Sequence, residues 1–209
     1  MPSADLPSPL PDRKTIRLKG FDYTSVGAYF LTVCAREKEC IFGHVRIDRT
    51  IPNELGSLVE KCWREIPSHF PDVVCDAFTL MPNHMHGILL IFPPSDDCSP
   101  VRARHAVPDD VVNLESFGRP IPGSIPTIVR SFKGAVTKEG RIVLQRPDLC
   151  PWERGYNDHV IRDGADLKNI RRYIIENPAK WERDQENPWS ALIRERRKRS
   201  GDPPRQGVT

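Results

Sequence analysis

Short apolar runs along the chain, separated by polar turns, predict a set of β-strands. Residues 27–35 (GAYFLTVCA) are rich in aromatic and β-branched side chains, which favours a buried strand. Residues 41–47 predict a shorter strand that pairs with it. Residues 73–80 and 87–92 predict two further strands joined by a bend, the second of them starting near His84, and residues 156–162 predict a last one.

Three other segments place their apolar residues at helical spacing. The first helix is predicted over residues 55–66 and is closed by Pro67. The second spans residues 125–138. The third spans residues 165–176, with Asp163 as its N-cap and Pro178 setting its limit at Asn177.

Helices interleaved with strands in this order predict an α+β fold, an antiparallel sheet with helices packed on one face. Proline-rich stretches divide the chain further. Residues 1–15 are predicted to be a flexible tail, residues 16–183 a single domain, and residues 184–209 a basic C-terminal tail. Within the domain, residues 93–123 predict a long surface loop.

Composition excludes several classes of protein. The 209 residues are 28% charged and 38% hydrophobic, which is typical of a folded soluble domain, and the net charge of +3 excludes a uniformly basic polymer-binder. No apolar run reaches the roughly 18 residues of a membrane span, and the N-terminus has no signal-peptide core. We therefore expect a cytoplasmic protein without membrane contact. The six cysteines form no CxxC pair and predict no zinc site of that type.

His84 and His86 are the first candidates for chemistry. Residues i and i+2 of a strand share a face, so both imidazoles can reach one divalent metal while Met85 points into the core. The same pattern also arises by chance, and two histidines still need a third ligand.

Tyr173 and Asn177 are the second pair of candidates. They stand four residues apart on the third predicted helix and therefore share a face. Tyr173 lies on the flank of the apolar stripe, from where it can reach the sheet, and the amide oxygen of Asn177 can serve as a third ligand. A packing tyrosine and a simple Asn-Pro helix stop explain the same residues.

Two motifs together resemble a known family. LMPNHMHGILLI (residues 80–91), followed by YNDHVIRDGADLKNIRRYIIENPAKW (residues 156–181), is similar to the single-tyrosine HUH transposases and among them to the REP-associated tyrosine transposases. The resemblance covers roughly residues 17–189. It implies a ferredoxin- or RRM-like domain in which His84 and His86 form the HUH pair and Tyr173 is the nucleophile. Asn177 stands where insertion-sequence relatives carry a metal-binding Gln, and His159 matches a position without an assigned role.

The resemblance also implies an activity. A divalent metal, Mg²⁺ or Mn²⁺, assists cleavage of single-stranded or hairpin DNA, and a covalent 5′-phosphotyrosine conserves the bond for strand transfer. Insertion-sequence relatives act as homodimers and the REP-associated branch as monomers, so the resemblance leaves both states open. The rival function is a hairpin-DNA-binding regulator that does not cleave.

Basic side chains add candidate DNA contacts. Arg130 and Lys133 share a face of the second helix apart from its apolar stripe, Arg171 and Arg172 precede Tyr173, and residues 194–199 form a further basic cluster. Solvated surface charge explains each of them equally well. Other metal-dependent hydrolases fit less well, because a barrel needs regular βα alternation and a histidine-triad enzyme needs a histidine where Ile88 stands.

Overall fold

The computed structural model describes residues 20–93, 121–184 and 186–190. The expected N-terminal tail lies outside these residues, as do most of the predicted 93–123 loop and most of the predicted C-terminal tail. The described chain runs through the following elements: β1 (Gly27–Cys34), a 3₁₀ turn (Arg36–Lys38), β2 (Gly43–Arg46), β3 (Arg49–Pro52), α1 (Glu54–Arg64), α2 (Ile66–His69), β4 (Val73–Leu80), β5 (His84–Ile91), α3 (Ile125–Val143), β6 (Asn157–Ile161), α4 (Gly164–Glu176) and a 3₁₀ segment (Pro178–Arg183).

Four strands form one antiparallel sheet in the order β4-β5-β1-β6. One helix, α1, lies between β1 and β4 in sequence, and another, α3, lies between β5 and β6. This β-α-β-β-α-β arrangement is that of a ferredoxin-like domain. The predicted α+β class and antiparallel sheet are therefore confirmed.

Side-chain caps begin the three long helices, as their sequences predict for Asx and Ser residues. Asn53 and Ser124 cap α1 and α3, accepting hydrogen bonds from the N–H groups of Gly56 and Thr127. The predicted cap of α4 is confirmed, because the Asp163 side chain accepts from the N–H of Asp166. α3 runs five residues beyond the predicted end at residue 138, and Gly140 lies inside it, buried where Leu149 packs against the helix.

The predicted pairing of residues 41–47 with the first strand is wrong. β2 pairs instead with β3 in a two-stranded hairpin, in which Arg46 lies opposite Arg49. The physical reason is that β1 is a central strand: β5 occupies one of its edges and β6 the other. No edge remains on β1 for a third partner.

The helices lie on both faces of the sheet, whereas the sequence predicted one. α1 and α3 cover the face that carries Leu31, Met85 and Leu89. α4 packs on the opposite face, where Ile174 meets Ile88 and other residues of that second apolar cluster. The near-continuous apolar run of β5 accounts for this, because a strand buried on both faces lacks polar alternation.

Among the described helices, none is long and apolar enough to cross a membrane. The five described cysteines are free thiols. Both findings concern the described residues alone.

Candidate active site

The histidine pair lies on the face of the sheet that α4 covers. The Nε2 atoms of His84 and His86 are 3.1 Å apart, and Met85 is fully buried in the core on the opposite face. Strand periodicity thus brings the two imidazoles together as the sequence predicted. At this separation both nitrogens could bind the same divalent cation.

Asn83 fixes the orientation of the first imidazole. Its Nδ2 donates to two backbone carbonyls, those of Lys38 and Glu186, at 2.9 and 2.6 Å. Carbonyls only accept, so the amide oxygen must face His84, whose Nδ1 lies 2.8 Å away. Nδ1 of His84 therefore carries the proton, and its Nε2 presents a lone pair to the site.

Thr32 supports the second imidazole. β1 and β5 are in a register that places Thr32 opposite His86, and the Thr32 hydroxyl lies 2.8 Å from Nδ1 of His86. A hydroxyl donates or accepts, so it suits either tautomer of His86. When Nδ1 of His86 donates to the Thr32 hydroxyl, Nε2 of His86 carries a lone pair, as Nε2 of His84 does. The two neighbouring nitrogens are then both available to a single cation.

Burial keeps the histidine pair neutral. Desolvation, with a smaller effect of the Lys38 cation, lowers the pKa of His84 to about 4. Desolvation and the neighbouring His84 lower the pKa of His86 to about 3, against a small opposing effect of Glu186. Both imidazoles are thus available as ligands at neutral pH.

Tyr173 reaches this pair from α4. Its hydroxyl lies 3.4 Å from Nε2 of His86, and its ring packs edge-on against Phe30. The residue is 44% exposed, although the histidine beside it is buried. Burial raises the pKa of Tyr173; a hydrogen bond from Asn177 opposes this, while Asp184 and Glu186 add to it.

Asn177 has a buried side-chain oxygen that is available to bind a metal. It is 3% exposed, and its Oδ1 has no hydrogen-bond partner among the described residues. A buried amide oxygen without a partner is costly unless something else satisfies it. Two imidazole nitrogens and this oxygen form a donor set that fits a divalent cation.

Residues after α4 also lie next to the histidine pair, and one of them, Asp184, was assigned by the sequence to the C-terminal tail. The Trp181 ring lies 6.1 Å from that of His84, and Oδ2 of Asp184 lies 3.9 Å from Nε2 of His84. Sequence reasoning missed Asp184, Asn83 and Thr32. Asn83 adjoins the histidine motif and was a detectable signal, whereas the other two approach through tertiary structure.

The four predicted DNA-contacting residues lie on two different helices. Arg130 is exposed on α3, across the sheet from Tyr173. Lys133, also on α3, donates to the carbonyls of Glu153 and Gly155 at 2.7 and 2.9 Å, and burial lowers its pKa. Its contacts therefore hold a loop against α3.

The other two candidates directly precede the tyrosine on α4. Arg171 forms an ion pair with Asp76 of β4 at 2.7 Å, and Arg172 donates to Asn169 at 3.0 Å. Arg171 thus joins α4 to the sheet edge. The fold does not gather all four basic residues around Tyr173.

His159 has a structural partner. Its Nε2 lies 2.9 Å from the carboxylate of Asp166 in the first turn of α4, and this contact lowers the pKa of Asp166. The pair joins β6 to α4 near one end of the helix, while Arg171 and Asp76 join it to β4. These contacts fix the position of the helix that carries Tyr173.

No protein-family model matches the chain. The family is shown instead by an individual relative. An uncharacterised protein of Haemophilus influenzae is 40% identical over 176 residues, which cover 83% of this chain and 92% of that protein. The chain belongs to the family of this protein.

A second relative carries a functional name. A Haemophilus influenzae protein named "Putative REP-associated tyrosine transposase" is 26% identical over 161 residues, covering 76% of this chain and 74% of that protein. The resemblance to REP-associated tyrosine transposases is thereby confirmed. A solved REP-associated tyrosine transposase bound to a REP hairpin is 18% identical, with a TM-score of 0.46 and coverage of 76% of this chain and 70% of that one.

Proposed function

We propose that the protein is a transposase-type enzyme that nicks and rejoins single-stranded DNA through Tyr173, with the help of a divalent metal. The observation that carries the proposal is a convergence of three groups. The Tyr173 hydroxyl lies 3.4 Å from Nε2 of His86, which lies 3.1 Å from Nε2 of His84. Asn177 hydrogen-bonds Tyr173, and its own buried Oδ1 has no partner among the described residues. If Tyr173 served only to pack α4 against the sheet, these polar groups around its hydroxyl would have no purpose.

His84, His86 and Asn177 would hold the metal, Mg²⁺ or Mn²⁺. Bound there, it would polarise a phosphoryl oxygen and offset the charge that develops in the transition state. The chain orients its own ligands for this purpose: Asn83 points the His84 lone pair into the site, and Thr32 does the same for His86.

Tyr173 would attack the phosphorus of a phosphodiester. A bond forms between phosphorus and the Tyr173 oxygen, and the bond from phosphorus to the 3′ oxygen breaks. The phenol gives up its proton to water, and the leaving oxygen takes one up to become a free 3′-OH. Asn177, which hydrogen-bonds the Tyr173 oxygen, stabilises the anionic form of that oxygen.

Rejoining reverses the step. A 3′-OH attacks the 5′-phosphotyrosine, the new phosphodiester forms, and Tyr173 leaves as a phenol. The number of phosphoester bonds is unchanged, so joining needs no nucleotide cofactor. Exposure of Tyr173 permits exchange of one 3′ end for another.

The proposed substrate is hairpin-forming repeat DNA. The support is the relationship to the REP-associated tyrosine transposases, together with the exposure of Tyr173 beside the histidine pair. A base-paired stem would bring the adjoining single strand to Tyr173 in a defined register.

The test is formation of a covalent adduct. Hairpin DNA from repeats flanking the gene, labelled at its 3′ end, is incubated with Mg²⁺ or Mn²⁺ and run on a denaturing gel. We expect a metal-dependent protein–DNA band for the natural protein and for Tyr156→Phe. We expect no band for Tyr173→Phe, which should still shift the hairpin in a native gel. A 5′ label should report a released fragment ending in 3′-OH.

Two results would overturn the proposal. An adduct that persists in Tyr173→Phe would assign another nucleophile. Hairpin binding by the natural protein without any adduct, in either metal, would favour the non-cleaving regulator.

A further inference from the structure

The β2–β3 hairpin (residues 43–52) carries an exposed apolar side chain at its tip. The register pairs Arg46 with Arg49, so Ile47 and Asp48 form a two-residue turn between the strands. Ile47 is 87% exposed, which is the highest value for any large hydrophobic residue of the described chain. A single exposed apolar side chain is common on protein surfaces, but this one also has an unusual backbone conformation.

The backbone at Ile47 is strained. Its φ is 62°, a left-handed value that glycine or asparagine normally supplies at the first position of a two-residue hairpin turn. A β-branched residue rarely adopts this value, because its Cβ crowds the neighbouring carbonyl oxygen. The side chain is too exposed for packing to offset the cost. Strain of this kind is found at binding sites, where a side chain has to be presented to a partner.

Two arginines flank the strained turn. Arg46 and Arg49 are exposed and stand directly opposite one another, where like charges repel. Neither guanidinium forms an ion pair with any residue that the structure describes, and this includes Asp48 in the turn between them. An anion that contacts both groups would relieve the repulsion, and the planar guanidinium suits phosphate oxygens in particular. The charge at the hairpin tip therefore favours a nucleic acid as its partner.

The base of the hairpin is attached beside the histidine site. Gly43 lies opposite Pro52, and a Cβ at Gly43 would overlap the carbonyl oxygen of Ile51, so the two strands approach closely there. β3 also lies against the 3₁₀ segment that follows α4, and in that segment the ring of Trp181 lies 6.1 Å from that of His84. The hairpin is thus held by a segment that borders the site of the proposed nicking reaction.

We propose that the β2–β3 hairpin binds the base-paired stem of the substrate DNA, with Arg46 and Arg49 on phosphates and Ile47 packed against the last base pair. This inference rests on the proposed function, because it concerns the DNA of that same reaction. A two-stranded ribbon fits a DNA groove, and isoleucine is among the side chains that wedge between bases and unstack them. Opening the last pair would lengthen the single strand available to Tyr173.

The first measurement follows the stacking of the stem. Full-length protein is added to hairpin DNA from repeats flanking the gene, with 2-aminopurine in the last base pair of the stem, where its fluorescence rises on unstacking. We expect a rise with the natural protein and with Ile142→Asn, which removes an exposed isoleucine from α3. Ile47→Asn should abolish the rise. Unchanged fluorescence with the natural protein would overturn the inference.

Thermal unfolding shows whether Ile47→Asn acts on DNA or on the fold. Asparagine accepts a left-handed backbone more readily than isoleucine, so the unfolding midpoint of Ile47→Asn should equal or exceed that of the natural protein. A lower midpoint would show that Ile47 supports the fold, and its assignment to DNA would then be wrong.

Salt dependence tests the two arginines. Arg46→Gln and Arg49→Gln should each weaken hairpin binding and reduce the slope of log Kd against log salt concentration by about 1. Arg64→Gln, at an exposed position of α1, removes the same charge and should leave the slope unchanged. If all three variants have the slope of the natural protein, the phosphate contacts are overturned.

The outcomes separate this inference from the proposed function. If the natural protein forms the covalent adduct and Ile47→Asn matches it in fluorescence and binding, the hairpin contact is overturned and the nicking chemistry stands. If fluorescence rises but no adduct forms, the hairpin contact stands and the nicking chemistry is overturned. If Ile47→Asn converts a dimer to a monomer in sedimentation, the tip joins two copies of the chain and the DNA contact is overturned.

Discussion

Single side chains with several hydrogen bonds decide the geometry of the histidine pair. Asn83 is 1% exposed and uses its amide three times, on two backbone carbonyls and on Nδ1 of His84. Buried polar groups of this kind act cooperatively, because the loss of one partner leaves the others unsatisfied. The tautomer of His84 therefore depends on a fully buried neighbour.

We predict that Asn83→Ala weakens Mn²⁺ binding by about 10- to 100-fold, the usual effect of removing a group that orients a metal ligand. The imidazole of His84 would lose the acceptor that holds its proton on Nδ1. Calorimetric titration of the metal-stripped variant measures the change. Asn169→Ala, which removes an exposed amide from α4, is the control and should bind Mn²⁺ normally. Equal affinities in the two variants would contradict an orienting role for Asn83.

At the scale of elements, β5 has to fit between helices on both of its faces. Its His84 and His86 face α4, while Gly87 faces α1, where the Trp63 ring lies directly over it. A Cβ at Gly87 would overlap that ring. The glycine therefore lets Trp63 pack against the strand immediately after the histidine pair.

We predict that Gly87→Ala destabilises the protein by on the order of 1–3 kcal/mol, as expected for overpacking of a closed core. Gly134→Ala on α3 is the matched control, since a Cβ there meets nothing within 4 Å. Alanine has the higher helix propensity, so that variant should gain about 0.5–1 kcal/mol. Urea unfolding measures both. A Gly87→Ala variant as stable as the natural protein would show that Trp63 moves freely.

At the scale of the whole molecule, the site makes stability depend on pH. His84 and His86 are buried and neutral, with pKa values of about 4 and about 3, whereas a histidine in an unfolded chain has a pKa of about 6.5. Between those values the unfolded chain binds more protons than the folded one, so stability falls as pH falls. The stability is fully present above pH 6.5 and is lost progressively toward pH 4.

We predict that the metal-free protein loses roughly 2 kcal/mol of stability per buried imidazole between pH 7.5 and pH 5. Urea unfolding in the presence of a chelator at several pH values measures this loss. His86→Gln should reduce the slope, while His44→Gln, at an exposed position, should retain it. The prediction fails if stability is constant over this range in the natural protein.

The amino-acid sequence by itself determined the features that depend on local spacing. Strand alternation put His84 and His86 on one face with Met85 on the other, and helical spacing put Tyr173 and Asn177 together. Capping and proline signals gave the limits of α4. These predictions succeeded because the direction of a side chain in a helix or strand follows from its position among its immediate neighbours in sequence.

Tertiary structure alone decided what crosses between elements. The register between β1 and β5 places Thr32 beside His86, and the turn after α4 places Asp184 near His84. α4 packs on the apolar face of β1 and β5 that α1 does not cover. The failed pairing of residues 41–47 has the same origin, since occupation of both edges of β1 depends on strands distant in sequence. Such contacts depend on which surfaces remain to be buried once the other elements have packed, and no local pattern records that.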